Sequence, residues 1–418
     1  MQPFRFVHAS DLHLDRPLSG IAAPPAHLTD VMIDAPYVAA RRVFDTAINQ
    51  RADFLILAGD VVDVLRAGPR AAAFLIEQFE RLAAANIAVN WLSARAERRG
   101  PFPAELPLPP NVHVWRPGPA QPIVHQADGD SLCMLVAHCG AESPERLEAA
   151  AKTRAGLFTI GVWHGRFERE QKTRRAKKGE GSAKSSIDYW ACGGSHRRRR
   201  LRAGNVPMIY SGSPQGRSPA ECGSHGAVVV DVNDQGIAQP RFIPTDDARY
   251  VQVRAAINPS APQNEQEHAV AERLDAERAR AGGNDLFLCW QLAQTGAATT
   301  DLARAFSSDA WLTWLRREFG AASPAAWSVS VDIASPATVA SATVTPQDGS
   351  LLAEFLAEAA ASKTSAAARS VEPLIPAPLR GTGLAAALAA SDAGQNRRVW
   401  QRAVALGREL LGAEEAPR

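Results

Sequence analysis

Apolar residues in the first 245 positions fall into short unbroken runs, separated by longer stretches with helical periodicity. Phe4-Arg5-Phe6-Val7 and Phe54-Leu55-Ile56-Leu57 read as short strands of a parallel sheet buried on both faces. Further strands are expected over 87–92, 112–115, 132–137, 158–163, 189–192, 208–210 and 227–232, with helices over 37–50 and 70–85. This alternation is that of an α/β layer fold. The Pro-rich stretch from Pro101 to Pro110 is a loop.

From Tyr250 the pattern changes. Residues 251–254 alternate like a strand, 265–281 read as a charged helix, 286–292 as a second strand, 302–319 as helical, and 327–333 alternate again. An Ala-, Ser- and Pro-rich linker begins at Ser335, and helical pieces follow over 351–361 and 396–411. Val399, Ala403, Leu406 and Leu410 give the last piece an apolar stripe that suits packing on its own protein, with docking of a partner as the alternative. The chain therefore divides into 1–245, an α+β segment over 250–335, and 336–418.

At 418 residues there is room for two domains and a smaller piece, and 46% hydrophobic with 22% charged residues is a soluble, globular profile. The net charge of +2 carries no global nucleic-acid signal, so any such argument rests on local patches. Five cysteines without C-x-x-C spacing fit free thiols in a reducing compartment. No apolar run reaches bilayer length and no signal-like leader opens the chain, so a cytoplasmic protein is expected.

Chemistry gathers where the apolar runs stop. VHASDLHL (7–14) and ILAGDVVD (56–63) place Asp11, His13 and Asp60 at the carboxyl ends of strands, where open α/β sheets put their ligands. Oxygen and nitrogen donors suit Mn, Fe or Zn, and a metal at such an edge activates water.

The run HASDLHLDRPLSG (8–20) resembles the calcineurin-like metallophosphoesterases, nearest to the bacterial DNA-repair exonuclease branch typified by SbcD and YhaO. DFLILAGDVVD (53–63), IGVWHG (160–165), IDYWACGGSH (187–196) and IYSGSPQGRSPAECGSHGAVVVDV (209–232) continue the match in order. It covers residues 3 to 245 and extends more loosely over 250–335, where that branch carries a cap. The resemblance implies a four-layer α/β/β/α sandwich, then a small α+β capping domain and a helical C-terminal tail. It also implies two metals bridged by the Gly-Asp carboxylate. Asp11, His13, Asp60 and His196 would hold the first, and Asp60 with His164 are what remains for the second.

Three positions depart from that pattern. Arg95 falls where the family has an Asn ligand, Ala96 where it has a His assisting the leaving group, and Gly194 where it has a His ligand. The expectation is one divalent ion, Mn(2+), in an intact first site beside an eroded second, with His164 positioning phosphate and Arg95 standing in for a cation. The plainer alternative for the four first-site residues is a relic held by structural hydrogen bonds. His8 and His138 are expected in the core and Asp63 as a helix cap, while Glu97 is a remote alternative ligand.

Two basic runs, 166–184 and RRRRLR (197–202), suit contacts to a phosphate backbone, with Arg197, Arg198, Arg199 and Arg200 directly following His196. A solvated loop is the alternative for the first run. Two functional expectations stand. One is a phosphodiesterase acting at DNA ends, weakened by its eroded second site. The other is a non-catalytic DNA-binding or scaffold subunit partnering an SbcC-like ABC-type ATPase through the C-terminal helices. Homodimers also occur in the family.

Overall fold

The computed structural model describes residues 1–21, 24–94, 107–115, 121–127, 130–137, 147, 150–152, 156–165, 185–203, 205–294, 308–334, 351–362 and 404. Chain contacts divide into two units, Met1–Pro336 and Ala337–Arg418.

In the first unit, β1 (Phe4–Ala9) lies inside a six-stranded sheet, beside β2 (Phe54–Leu57) on one edge and β11 (Gly226–Val232) on the other. Strands β3 (Ala88–Leu92) and β4 (Val112–Trp115) extend it in parallel beyond β2, and β12 (Ala238–Pro244) closes the far edge antiparallel to β11. A second six-stranded sheet has the order β5 (Gln121–Ala127), β6 (Asp130–Ala137), β7 (Phe158–His164), β8 (Tyr189–Gly193), β10 (Val206–Tyr210) and β9 (Arg199–Ala203).

The short apolar runs are explained by burial on two faces. Alternate residues Phe4, Phe6, Phe54 and Ile56 meet Leu135, Ile160, Val162 and Tyr189 between the sheets. Val7, Ala9, Leu55 and Leu57 pack the opposite face, against α1 (Ala26–Asn49) and α2 (Val64–Ala84). On the outer face of the second sheet, Met134, Val136 and Trp190 pack with Leu147 and Ala151. The result is the α/β/β/α order.

Both helices start earlier than the periodicity suggests, each for a reason involving proline. Pro36 sits inside α1, where it cannot donate to the carbonyl four residues back. That carbonyl, Met32 O, instead accepts Leu18 N at 2.9 Å, so the helix continues through the proline. In α2, Gly68 is non-helical (φ 63°, ψ −176°) just before Pro69, and the apolar pattern is legible only beyond that break. Strands β5, β9 and β12 carried no strand signal. All three are sheet edges, where one-sided pairing relaxes the demand for apolar residues.

Three parallel strands, β13 (Ala248–Ile257), β14 (Asp285–Gln294) and β15 (Ala326–Ala334), form a separate sheet. One face buries Val253, Leu288, Trp290 and Leu292 beneath α3 (Gln263–Ala281) and α4 (Ser308–Phe319). The other puts Tyr250 and Phe287 on Leu18, Leu28 and Met32, and Tyr250 Oη donates to Ser19 O at 2.8 Å. In the second unit, α5 (Leu351–Ser362) matches the helix expected there, whereas 396–403 and 405–411 lie outside the described residues. No helix among the described residues is long and apolar enough to cross a membrane.

Candidate metal centre

The loops after β1 and β2 are zipped together by backbone hydrogen bonds. Asp11 N donates to Gly59 O (2.9 Å), His13 N to Asp60 O (3.0 Å) and Leu14 N to Val61 O (3.1 Å). Asp11, His13 and Asp60 all take left-handed backbone conformations, at φ 56°, 46° and 51°. Strained conformations of this kind persist only where surrounding structure holds them, and they concentrate at functional sites.

Two groups of ligand atoms result, each with its members within 4.8 Å of one another: Asp11, His13 and His196, and Asp11, Asp60 and His164. All five residues expected from the sequence are therefore brought together, and Asp11 is common to both groups. Asp60 also approaches the first group, with Oδ2 3.9 Å from His13 Nε2.

The Asp11 carboxylate is used asymmetrically. Oδ2 accepts Ser10 Oγ at 2.7 Å and Gly194 N at 2.9 Å, and Ser211 Oγ lies 2.9 Å from Ser10 Oγ behind it. Oδ1 is buried without a hydrogen-bond partner, and so is His13 Nε2, 4.0 Å away. Two facing buried acceptors left bare cost several kcal/mol together, at about 1–3 kcal/mol each, and a divalent cation would satisfy both. His13 is held neutral, as a metal ligand must be. Burial lowers its pKa most, Arg217, His196 and Arg16 lower it further, and Asp60 opposes them, leaving about 2.

His164, at the end of β7, points Nδ1 at Ala58 O (2.8 Å), which fixes Nε2 as the atom facing Asp60 Oδ2 at 3.4 Å. Burial by itself would lower its pKa. The hydrogen bond to Asp60, the charges of Asp11 and Asp60 and the Ala58 carbonyl outweigh burial and raise it to about 9. The two carboxylates thus favour the protonated ring, and a bound cation would compete with that proton. The packing leaves no room here for a Cβ. At Gly59 one would sit 2.4 Å from His164 Nδ1, and at Gly193 1.9 Å from Ala58 O.

His196 is oriented by a feature the sequence did not reveal. Its Nδ1 lies 2.6 Å from Glu221 Oε1, and Glu221 Oε2 accepts the Arg217 amide at 2.9 Å. Burial would raise the Glu221 pKa, but the His196 hydrogen bond and Arg217 charge bring it down to about 2. Arg217 is itself buried, with Nη2 3.1 Å from His196 Nδ1 and Nη1 without a hydrogen-bond partner. A carboxylate behind a ligating His is the usual way to hold its tautomer. Both residues lie in a run matched as a whole, where nothing distinguished a buried Arg–Glu pair from ordinary surface charges.

Other expectations fall as follows. Gly194 occupies the position where the resemblance expects a His. Its φ is 88°, its amide serves Asp11, and a Cβ there would lie 3.2 Å from His164 Nε2. Arg95, Ala96, Glu97, His138 and the basic run 166–184 lie outside the described residues. His8 is buried within β1 against Tyr189, and burial pushes its pKa down to about 3. Asp63 immediately precedes α2, and its carbonyl accepts Arg66 N and Ala67 N. Arg197–Arg200 are exposed at the start of edge strand β9. Arg197 donates to Ala220 O (2.8 Å) and Arg198 stacks over Phe242, while the strand's alternation turns Arg199 and Arg200 to opposite faces.

No protein-family model matches the chain. A Bacillus subtilis (strain 168) protein described as the uncharacterized metallophosphoesterase YhaO is 29% identical over 245 residues, 56% of this chain and 58% of that protein. The chain thus spans less than two thirds of that relative's length. A dimetal phosphatase from Danio rerio shows 9% identity over 58% of this chain and 99% of its own, with a TM-score of 0.33. Entamoeba histolytica Vps29 complexed with zinc shows 12% identity over 58% and 99%, at 0.25. The sequence match supports the metallophosphoesterase superfamily.

Proposed function

We propose that this chain is a metal-dependent phosphoesterase that hydrolyses phosphodiesters at DNA ends. The observation that carries the reading is the facing pair of bare buried acceptors, Asp11 Oδ1 and His13 Nε2, within a cluster completed by Asp60, His164 and His196. These residues fit a divalent cation, for which we propose Mn(2+). Asp11, His13 and His196 would hold it, with Asp60 beside them. Once bound, the ion supplies charge neutralisation for a phosphate and a water of lowered pKa. The remaining work belongs to the protein. Glu221 keeps His196 in one tautomer, Ser10 and Gly194 fix the Asp11 carboxylate, and His164 offers Nε2 to the cleft beside Asp60. The exposed Arg200 side chain on β9 would meet the DNA backbone.

The test is hydrolysis of linear duplex DNA, and of a chromogenic phosphodiester, by the purified chain with Mn(2+), using Asp60→Asn as control. Activity lost on that change supports the proposal, while activity indifferent to it rejects it.

One observation favours a second reading. Gly194 offers no side chain where a further ligand is expected, which suits a scaffold subunit that binds DNA or an ATPase partner and retains a single ion. Full DNA binding and one ion per chain, without cleavage, would select that reading.

A further inference from the structure

The turn that holds Glu221 against His196 spans Pro219–Glu221 and ends at Cys222, which lies against the sheet of the α+β segment. Several features put its thiol beside Cys289. Gly223 N donates to Tyr250 O on β13 at 2.9 Å, anchoring the chain next to Cys222. On β14, Leu286, Leu288, Trp290 and Leu292 are buried beneath the helices, whereas Phe287 faces the apolar cluster on which Cys222 also packs. Cys289, two residues on, shares the Phe287 face. The Cys222 and Cys289 thiols lie close enough to perturb each other's ionisation, and Ser330, the partner position of Cys289 on β15, also reaches Cys289. Both sulfurs belong to partly exposed residues, unlike the buried Cys133 and Cys192.

We propose that Cys222 and Cys289 are a redox-sensitive dithiol that closes to a reversible disulfide by exchange with a low-molecular-weight disulfide. The bond would staple β14 to the turn that orients His196. The two thiols are already differentiated for these roles. The neighbouring Cys222 lowers the Cys289 pKa most, Ser330 adds to it, and burial opposes, leaving about 7. The neighbouring Cys289, with burial, pushes the Cys222 thiol up.

Cys289 is therefore the attacking thiolate. It bonds to one sulfur of the reagent, whose S–S bond breaks and releases one thiolate with the electron pair. Cys222 then gives up its proton and attacks Cys289 Sγ, expelling the second reagent thiolate. Two protein thiols lose two electrons, and one reagent disulfide becomes two thiols. Cys222 Sγ, which lies 3.1 Å from Pro219 O, gives up that contact. The reaction does not depend on the metal reading, although it acts on the turn that carries Glu221 and follows Arg217.

The experiment exposes the reduced full-length chain to oxidised glutathione, alkylates the remaining thiols and maps peptides by mass spectrometry. The expected product is a Cys222–Cys289 cross-linked pair, about 2 Da lighter than the two reduced peptides, reopened by dithiothreitol. Cys222→Ser should instead retain a glutathione adduct on Cys289, and Cys289→Ser should leave Cys222 unmodified. Stable separate adducts on both cysteines of the wild-type chain would overturn the proposal. So would a cross-link through Cys133, Cys139 or Cys192. The wild-type map decides the matter even if a serine variant fails to fold.

Discussion

Glu221→Gln isolates the role of the charge behind His196. The carboxylate accepts from two partners, His196 Nδ1 at 2.6 Å and the Arg217 amide at 2.9 Å. A glutamine amide has one oxygen, so only one of these bonds survives and an NH2 faces the other donor. A charge-assisted hydrogen bond is worth about 1.5–3 kcal/mol. Losing an outer partner of a ligating His typically costs about 10–100-fold in metal affinity, or about 1.4–2.7 kcal/mol. The two magnitudes agree, so the Mn(2+) dissociation constant should rise by about 10–100-fold while the fold persists. Titration calorimetry on chelator-stripped wild type and variant reads this directly, with circular-dichroism melting as the control for folding. A dissociation constant unchanged within about twofold would refute the reasoning. A melting point lowered with affinity intact would mark Glu221 as a structural bracket for the Arg217 turn instead.

Other expectations follow from single contacts. Gly193→Ala drives a Cβ to 1.9 Å from Ala58 O in the middle of two paired loops, so it should destabilise by about 1–3 kcal/mol and lower metal retention, measured by urea unfolding and metal analysis. His125 stacks on Phe54 and faces Asn90 Nδ2 at 2.9 Å; burial first, then His113, lowers its pKa to about 4. Its folded value lies below the unfolded 6.5, so its contribution to stability is complete above pH 6.5 and is lost as pH falls through about 4. His125→Gln should flatten the acid limb of urea midpoints measured from pH 7.5 to about 4, and an unchanged limb would count against this assignment. If β9 meets a nucleic-acid backbone, Arg200→Ala should reduce the slope of log binding constant against log salt by about 0.9 for duplex DNA. A weaker constant with the same slope would place Arg200 off the phosphate path.

Much of the site was legible because its residues sit where apolar strands stop. Asp11 and His13 follow β1, Asp60 follows β2, His164 ends β7 and His196 comes shortly after β8. Asp11, His13 and Asp60 were legible from the ends of apolar runs alone, whereas His164 and His196 were placed by the family resemblance of the runs that contain them. The chain's own alternation of apolar runs and helix-periodic stretches likewise determined the layered fold class and the change of architecture after Tyr250.

Tertiary structure decided what local pattern cannot encode. Whether α1 passes through Pro36 depends on Leu18, eighteen positions earlier, accepting the role of donor to Met32 O. That edge strands β5, β9 and β12 exist at all depends on a neighbour's unpaired backbone, because their side chains carry no strand period. The asymmetry of Asp11, with one oxygen satisfied and the other bare, comes from Gly194, 183 residues away. The Arg217–Glu221 bracket on His196 and the meeting of Cys222 with Cys289 are of the same kind. Burial and charge pairing are properties of the environment, and a sequence specifies its environment only once it has folded.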